Sequence, residues 1–148
     1  MLRSSISASA ENRETAISDN GLITIPSAHD VEDTIDQVEM VVKSKGLTVF
    51  ARVDHAAGAK EVSMTLAPTL LLIFGNAKGG TPLMQANQQV GIDLPLKVLA
   101  WQDSAGKTWL SYDDPQWIAQ RHGLGHGVDP NVKALSGALA AISKEATT

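Results

Sequence analysis

The run Leu70-Leu71-Leu72-Ile73-Phe74 restricts the fold of this chain more than any other feature. Five consecutive large apolar residues leave no polar side to turn towards water. The run is far shorter than the ~18 apolar residues of a membrane span. Its length and its β-branched and aromatic members suit a strand. A strand of this kind is expected at the centre of a sheet, covered on both faces. The apolar stretch stops abruptly at Gly75-Asn76-Ala77-Lys78-Gly79-Gly80-Thr81-Pro82. A buried strand therefore delivers the chain to a polar, glycine-rich segment at its end.

The flanking sequence supplies partners for that strand. Leu22 to Ile25 is a short β-branched run ended by Pro26, and Leu47 to Val53 is a second strand pattern. Between them Val31, Ile35, Val38 and Val42 recur at helical spacing, which predicts a helix over about 28–45. Ser27 is the expected N-cap, with Asp30 three residues on. Acids in the first turn and Lys43 and Lys45 in the last suit the helix dipole. Asp54 can cap a short helix from His55 to about Met64, broken by Ala67-Pro68. Thr81 is the expected cap of the next helix, with Pro82 at its first position. Leu94 to Gln102 and Lys107 to Tyr112 form a hairpin around Asp103-Ser104-Ala105-Gly106. Asp114 and Pro115 are the expected N-cap and first residue of a helix ending at Gly123, and Asp129-Pro130 repeats the signal before the last helix, which carries Val132, Leu135, Leu139 and Ile142 on one stripe. These elements predict an α+β fold: a largely antiparallel sheet of about five strands, with two long helices and shorter ones packed on it. Residues 1–19 carry few large apolar side chains and are expected to be a flexible tail before a single domain over 20–146.

Composition narrows the function classes. The 148 residues contain no cysteine, which excludes disulfides, thiolate catalysis and cysteine-ligated metal. A net charge of −4, with basic residues scattered, argues against nucleic acid or an anionic membrane as partner. The N-terminus lacks the apolar stretch of a signal peptide, so a soluble, cytoplasmic protein is expected. No cofactor motif is present and no resident cofactor is expected.

The segment from Gly75 to Pro82 is the first candidate site. Glycines permit close approach, and backbone N–H groups at a helix N-terminus favour an anion. Lys78 adds charge; Asn76 and Thr81 add hydrogen-bonding groups. It is not a phosphate-binding loop of the Gly-Lys-Thr type, because Lys78 precedes the glycines. The plainer reading is a turn whose Asn and Gly serve geometry. Asp54-His55 stands at a strand end, where the carboxylate could orient an imidazole; the plainer reading makes Asp54 an N-cap and His55 an exposed first-turn residue. Asp93 could act as base or ligand, or close a turn. His122 and His126 are four apart, but Gly123 and Gly125 oppose a helix there, and no metal site is expected. Lys97 faces away from Leu96 and Val98 and is expected in solvent. Trp101, Trp109, Tyr112 and Trp117 gather near the hairpin, mainly as core packing. Gly137, Ala138, Ala140 and Ala141 make a smooth helix surface for close packing.

Four blocks carry a family resemblance. They are Asp54 to Lys60, Leu72 to Met84, Gly91 to Leu99, and Trp109 to Pro115 with Arg121-His122-Gly123. In this order they resemble the domain-of-unknown-function family 302, over about residues 22–123. The resemblance implies a compact α+β fold, often dimeric, and no assigned activity. Members usually carry Pro where Ala77 stands, which implies a less rigid loop here. One branch has Cys where Leu96 stands, so its thiol chemistry does not carry over. The resemblance also favours a shared pocket for the separate motifs. The expected ligand-binding set is therefore His55, Asn76, Lys78, Gly79, Thr81 and Asp93, holding a small anionic or polar molecule. Two alternatives stand beside it: an enzyme with His55 as general acid/base, and a dimeric structural protein in which the loop serves only the fold.

Overall fold

A computed structural model describes residues 20–148. The expectation for the tail over 1–19 lies outside the described residues. Five strands form one antiparallel sheet: β1 (Leu22–Pro26), β2 (Thr48–Asp54), β3 (Thr69–Gly75), β4 (Leu96–Gln102) and β5 (Thr108–Asp113). Their order across the sheet is β1-β5-β4-β3-β2. The helices are α1 (Val31–Ser44), α2 (His55–Glu61), α3 (Ala77–Ala86), α4 (Pro115–Arg121) and α5 (Asp129–Thr147), with 3₁₀ turns at Gln88–Asp93 and His126–Val128. The α+β architecture and the two long helices follow the sequence pattern.

The core lies on one face of the sheet. Leu72, Phe74, Val98, Ala100 and Leu110 point from it into α1 and α5, which present Ile35, Val38, Val42, Leu139 and Ile142. Each fully buried aliphatic or aromatic side chain contributes about 1.5–3 kcal/mol. A smaller cluster (Leu83, Val90, Ile118, Leu124 and Val132) ties α3, α4 and α5 together. Gly21 seats this layer: its φ is +82°, and a Cβ there would lie 2.3 Å from the Trp117 ring.

The run Leu70–Phe74 departs from expectation. Leu70, Leu72 and Phe74 are buried, whereas Leu71 and Ile73 are half-buried on a face over which the described residues place no helix. Trp101 and Trp109 stack on that same open face, their rings 6.3 Å apart. Core packing holds for Tyr112 and for Trp117, but not for this pair.

Expectations about helix ends are corrected. In α5 Asp129 is already helical and Val128 stands at the N-cap position, so Asp129-Pro130 does not repeat the cap of Asp114-Pro115. Asp30, not Ser27, caps α1, accepting the Asp33 N–H at 2.7 Å. The Ser27 hydroxyl instead meets buried Thr34 at 2.6 Å, because the Thr34 hydroxyl donates to the Asp30 carbonyl and leaves its lone pair for Ser27. Asp54 does cap α2, accepting the Ala57 N–H at 2.9 Å, and α2 stops at Glu61 rather than Met64. A further correction concerns the glycine segment and is treated with the site.

Asp103 organises the β4–β5 hairpin. One carboxylate oxygen accepts the Trp109 indole N–H at 2.8 Å; the other accepts the Ala105 and Lys107 backbone N–H groups at 2.9 Å. The Trp109 hydrogen bond, then the backbone donors, hold this carboxyl below the usual aspartate value of 3.8. A depressed folded pKa stabilises the protein above the unfolded pKa and loses that contribution as pH falls through the folded value. Wild-type melting temperature is expected to drop as pH is lowered below about 3.8, and Asp103→Asn to be less stable at neutral pH with a flatter acid limb. Thermal unfolding followed by circular dichroism between neutral and strongly acid pH measures both.

Candidate ligand-binding site

The glycine segment is not an open loop. Helix α3 begins at Ala77, with Asn76 as its N-cap; Thr81 and Pro82 lie inside the helix. The Asn76 side-chain oxygen accepts the Gly79 N–H at 2.7 Å. A side-chain acceptor poised over the N3 amide starts the helix five residues before Thr81 could. A Cβ on Gly79 would sit 3.1 Å from that same oxygen and 3.4 Å from the Leu135 side chain, so glycine lets cap and α5 approach together. Ala77 is therefore the first helical residue, where proline is well tolerated. The family's proline at this position fits the observed helix.

Beside this helix start lies a cavity of about 400 Å³. Gly75, Ala77, Gly79 and Gly80 form one wall, Leu94 and Pro95 a second, Ala134, Leu135 and Ala138 of α5 a third, and Phe50 stands at the β2 side. Seven of its fifteen lining residues are Gly or Ala. Small side chains on two packed helices leave the space unfilled. Phe50 sits at a register shift between Val49 and Ala51, which turns it out to 55% exposure. The walls are almost wholly apolar; Asn76 is the single polar side chain among them.

The expected site residues separate. Asn76 and Gly79 line the cavity. Lys78 and Thr81 are exposed and do not line it. His55 is exposed at the start of α2, after the end of β2 that pairs with Leu70, whereas the cavity lies at the Gly75 end of β3. Five strand residues separate Leu70 from Gly75, about 17 Å. The acid–base reading of His55 thus lacks the convergence it requires. Asp93 is also outside the cavity. Its carboxylate takes both oxygens to the Arg121 guanidinium at 3.0 and 2.9 Å, and one of them to the His122 Nε2 at 2.6 Å. This cluster clamps the 3₁₀ turn to the end of α4. It joins Asp93 to Arg121-His122 and leaves no free base. His126 pairs instead with Asp129 at 2.9 Å. Among the described residues no set of three or more His, Asp or Glu side chains converges as metal ligands.

A larger cleft, about 950 Å³, opens between the start of α1 and α2. Glu32 and Lys60 line it without an ion pair, and its other charged groups are committed. Arg52 binds Asp36 and Glu39, Asp54 caps α2, and Asp30 caps α1. The walls that sequence reading missed are Phe50, Ala134, Leu135 and Ala138. Ala134 and Ala138 are four apart beside the Leu135–Leu139 stripe, the one signal that marks a small-residue flank.

The family model for "Domain of unknown function DUF302" matches residues 23–142. The chain belongs to the DUF302 family. The fold agrees with a crystal structure of an uncharacterised conserved DUF302 protein from Bacillus stearothermophilus: the TM-score is 0.76 at 19% identity, over 85% of this chain and 98% of that one. Two curated relatives are named "Fluoride-specific ion channel FluC 1". The one from Brucella suis biovar 1 (strain 1330) is 49% identical over 131 residues, covering 88% of this chain and 52% of the relative. The one from Brucella abortus biovar 1 (strain 9-941) is 49% identical over the same length, covering 48% of the relative. The DUF302 chain thus spans about half the length of these relatives. Among its described residues no helix is long and apolar enough to cross a membrane.

The capping geometry gives a test of the helix start. Ala77→Pro is expected to stabilise the domain by about 0.4–1 kcal/mol, since it removes unfolded-state freedom and no needed donor. Asn76→Ala is expected to cost about 1 kcal/mol. Urea denaturation of the two variants measures both. A destabilised Ala77→Pro would place the helix start further along the chain.

Proposed function

We propose that this DUF302 domain is a non-catalytic binding module that holds a small ligand at the start of α3, with an apolar ligand body inside the cavity. The observation that carries the reading is the cavity itself: about 400 Å³ of unfilled space walled by glycine and alanine, within the usual size range of small-molecule sites. Sequence alone suggested an anion or polar molecule. The apolar walls and outward Lys78 shift the choice towards a mainly apolar molecule, with any polar end meeting the first-turn amides of α3. Among the described residues no nucleophile and base gather at the cavity, which supports binding rather than bond cleavage. A cytoplasmic setting is part of the same reading, in keeping with a chain that carries no cysteine for disulfides.

The channel relatives favour one addition. If DUF302 sequence occupies about half of proteins named for fluoride transport, a membrane pore would belong to the other half, and the domain would act beside it as an accessory. Fluoride therefore belongs among the ions tested.

Octanoate, benzoate, inorganic phosphate and fluoride, each titrated in a thermal-shift assay, test the reading. A ligand at a hundredfold excess over its Kd adds about 2.7 kcal/mol. For a domain of this size that is about 5–10 °C in melting temperature. Octanoate or benzoate is expected to give such a shift, and Ala138→Phe, which fills the cavity from α5, is expected to abolish it. A shift that survives Ala138→Phe, or a response to phosphate alone, would sink the apolar-ligand reading.

A further inference from the structure

We infer that the cleft between the start of α1 and α2 is the docking site for a basic, amphipathic segment of another protein. It is separate from the ligand cavity: the cleft is lined by Leu70, at one end of β3, and the cavity by Gly75, at the other.

The connection from α2 to β3 forms one side of the cleft. Every residue from Glu61 to Pro68 is exposed, yet the stretch carries Val62 at 66%, Met64 at 66% and Leu66 at 47% exposure. These are three of the seven large apolar side chains that the described residues expose, gathered within five positions. Apolar groups clustered on a surface mark interaction sites, and methionine is favoured there because its flexible thioether adapts to a partner. The backbone beneath them is fixed. The Ser63 and Met64 N–H groups donate to the Lys60 and Ala59 carbonyls at 3.0 and 2.8 Å, a Schellman closure of α2. Ser63 takes the left-handed position at φ +62°, the one non-glycine residue to do so among the described residues. Strained backbone of this kind gathers at ligand clamps. In a Schellman closure the residue after the left-handed one packs back on the last helical turn. Here that turn offers Met64 only Ala59, and Met64 stays in solvent.

The opposite side is acidic. Asp30, Glu32 and Asp54 line it. Capping gives Asp30 and Asp54 backbone N–H donors but no cation. Arg52 is shared between Asp36 and Glu39 at 2.8 and 3.3 Å, and Glu39 also holds Lys43 at 2.9 Å. With Lys60, three cations thus face five carboxylates, so half of the chain's net charge of −4 sits at this one cleft.

Acid on one side and aliphatic side chains on the other select the occupant. A second copy of this acidic chain, or an anionic lipid surface, would bring like charge. The side chains of residues 1–19 set Arg3 and Arg13 against Glu11, Glu14 and Asp19 and bring no positive excess. A small cation would meet the acids and leave Val62, Met64 and Leu66 bare. A polypeptide with lysine or arginine on one face and aliphatic anchors on the other satisfies both sides. The cleft, about 950 Å³ and open, has room for several side chains of such a segment lying between α1 and α2.

Fluorescence anisotropy of the full chain with a labelled peptide of Lys and Leu at amphipathic helical spacing tests this. Saturable micromolar binding is expected, weakening as salt rises from about 50 to 300 mM. Peptides with Glu in place of each Lys, or Ser in place of each Leu, are expected to bind at least tenfold more weakly. Glu32→Lys, and Met64→Ser with Leu66→Ser, are each expected to weaken the Lys–Leu peptide at least tenfold. All three residues are exposed, so the melting temperature is expected to hold. Asp129→Lys makes the same charge change at the other end of α5 from Thr147, whose carbonyl meets Ala28 beside the cleft, and is expected to change binding less than twofold. If the serine pair does not fold, amide shifts of the wild type on adding the peptide are expected to centre on residues 30–32 and 57–66. No saturable binding, equal binding of the Leu-free peptide, equal weakening by Asp129→Lys, displacement by spermidine as effective as by unlabelled peptide, or shifts centred on Gly75 to Gly80 overturns the assignment.

Discussion

The packing of α1 against α5 over one face of the sheet underlies the rest of the molecule. Val38 and Val42 of α1, Leu139 and Ile142 of α5, and Leu72, Phe74 and Val98 of the sheet are almost wholly removed from water, and each loses the benefit of burial if any layer shifts. Because interiors are close-packed, this arrangement fixes where α5 runs. Its course then sets how near Ala134 and Ala138 come to the start of α3. The cavity is a consequence of that distance and of the small residues that line it. Among the described residues the same one-sided packing leaves the second face of the sheet without a covering helix.

The glycine segment carries two demands at once. Asn76 must cap a helix, and α5 must pass close to the first turn. Gly79 satisfies both because it has no Cβ to meet the Asn76 oxygen or Leu135. Its chemistry is therefore mainly that of close approach, and what it offers a ligand is space and backbone amides rather than side-chain charge. Lys78, which adds charge to the anion reading, is exposed and lies outside the cavity lining. The Asp93–Arg121–His122 cluster makes a related point. Asp93, which reads as a possible base along the chain, is bound in space by Arg121 and His122 and holds the 3₁₀ turn, from which Gly91 and the adjoining Leu94 and Pro95 wall the cavity.

Much of the fold was legible because its signals are local. The spacing of Val31, Ile35, Val38 and Val42, the turn at Asp103 to Gly106, and the Asp-Pro starts of the last two helices each depend on a few neighbouring residues. The errors were places where two local signals competed. Thr81-Pro82 is a sound helix start taken alone, but Asn76 with Gly79 offered an earlier one. Ser27 resembled a cap, yet the side chain that reaches an N-terminal amide is Asp30. The site was legible only in part. Asn76 and Gly79 were found, whereas Phe50 and the Ala134–Ala138 flank come from distant segments with no polar signature.

By itself the sequence determined the fold class, the order of its elements, and the strand that ends at a glycine-bearing helix start, because periodicity and turn chemistry are properties of short stretches. Tertiary structure alone decided which motifs meet. It set His55 at the far end of β3 from Gly75, drew Asp93 to Arg121 and His122, and opened an apolar cavity beside a segment that reads as polar. It also decided that, among the described residues, a strand apolar on both sides is covered on one. The physical reason is common to all of these: strand register and helix packing join residues remote in sequence, and nothing in a local pattern encodes those distances.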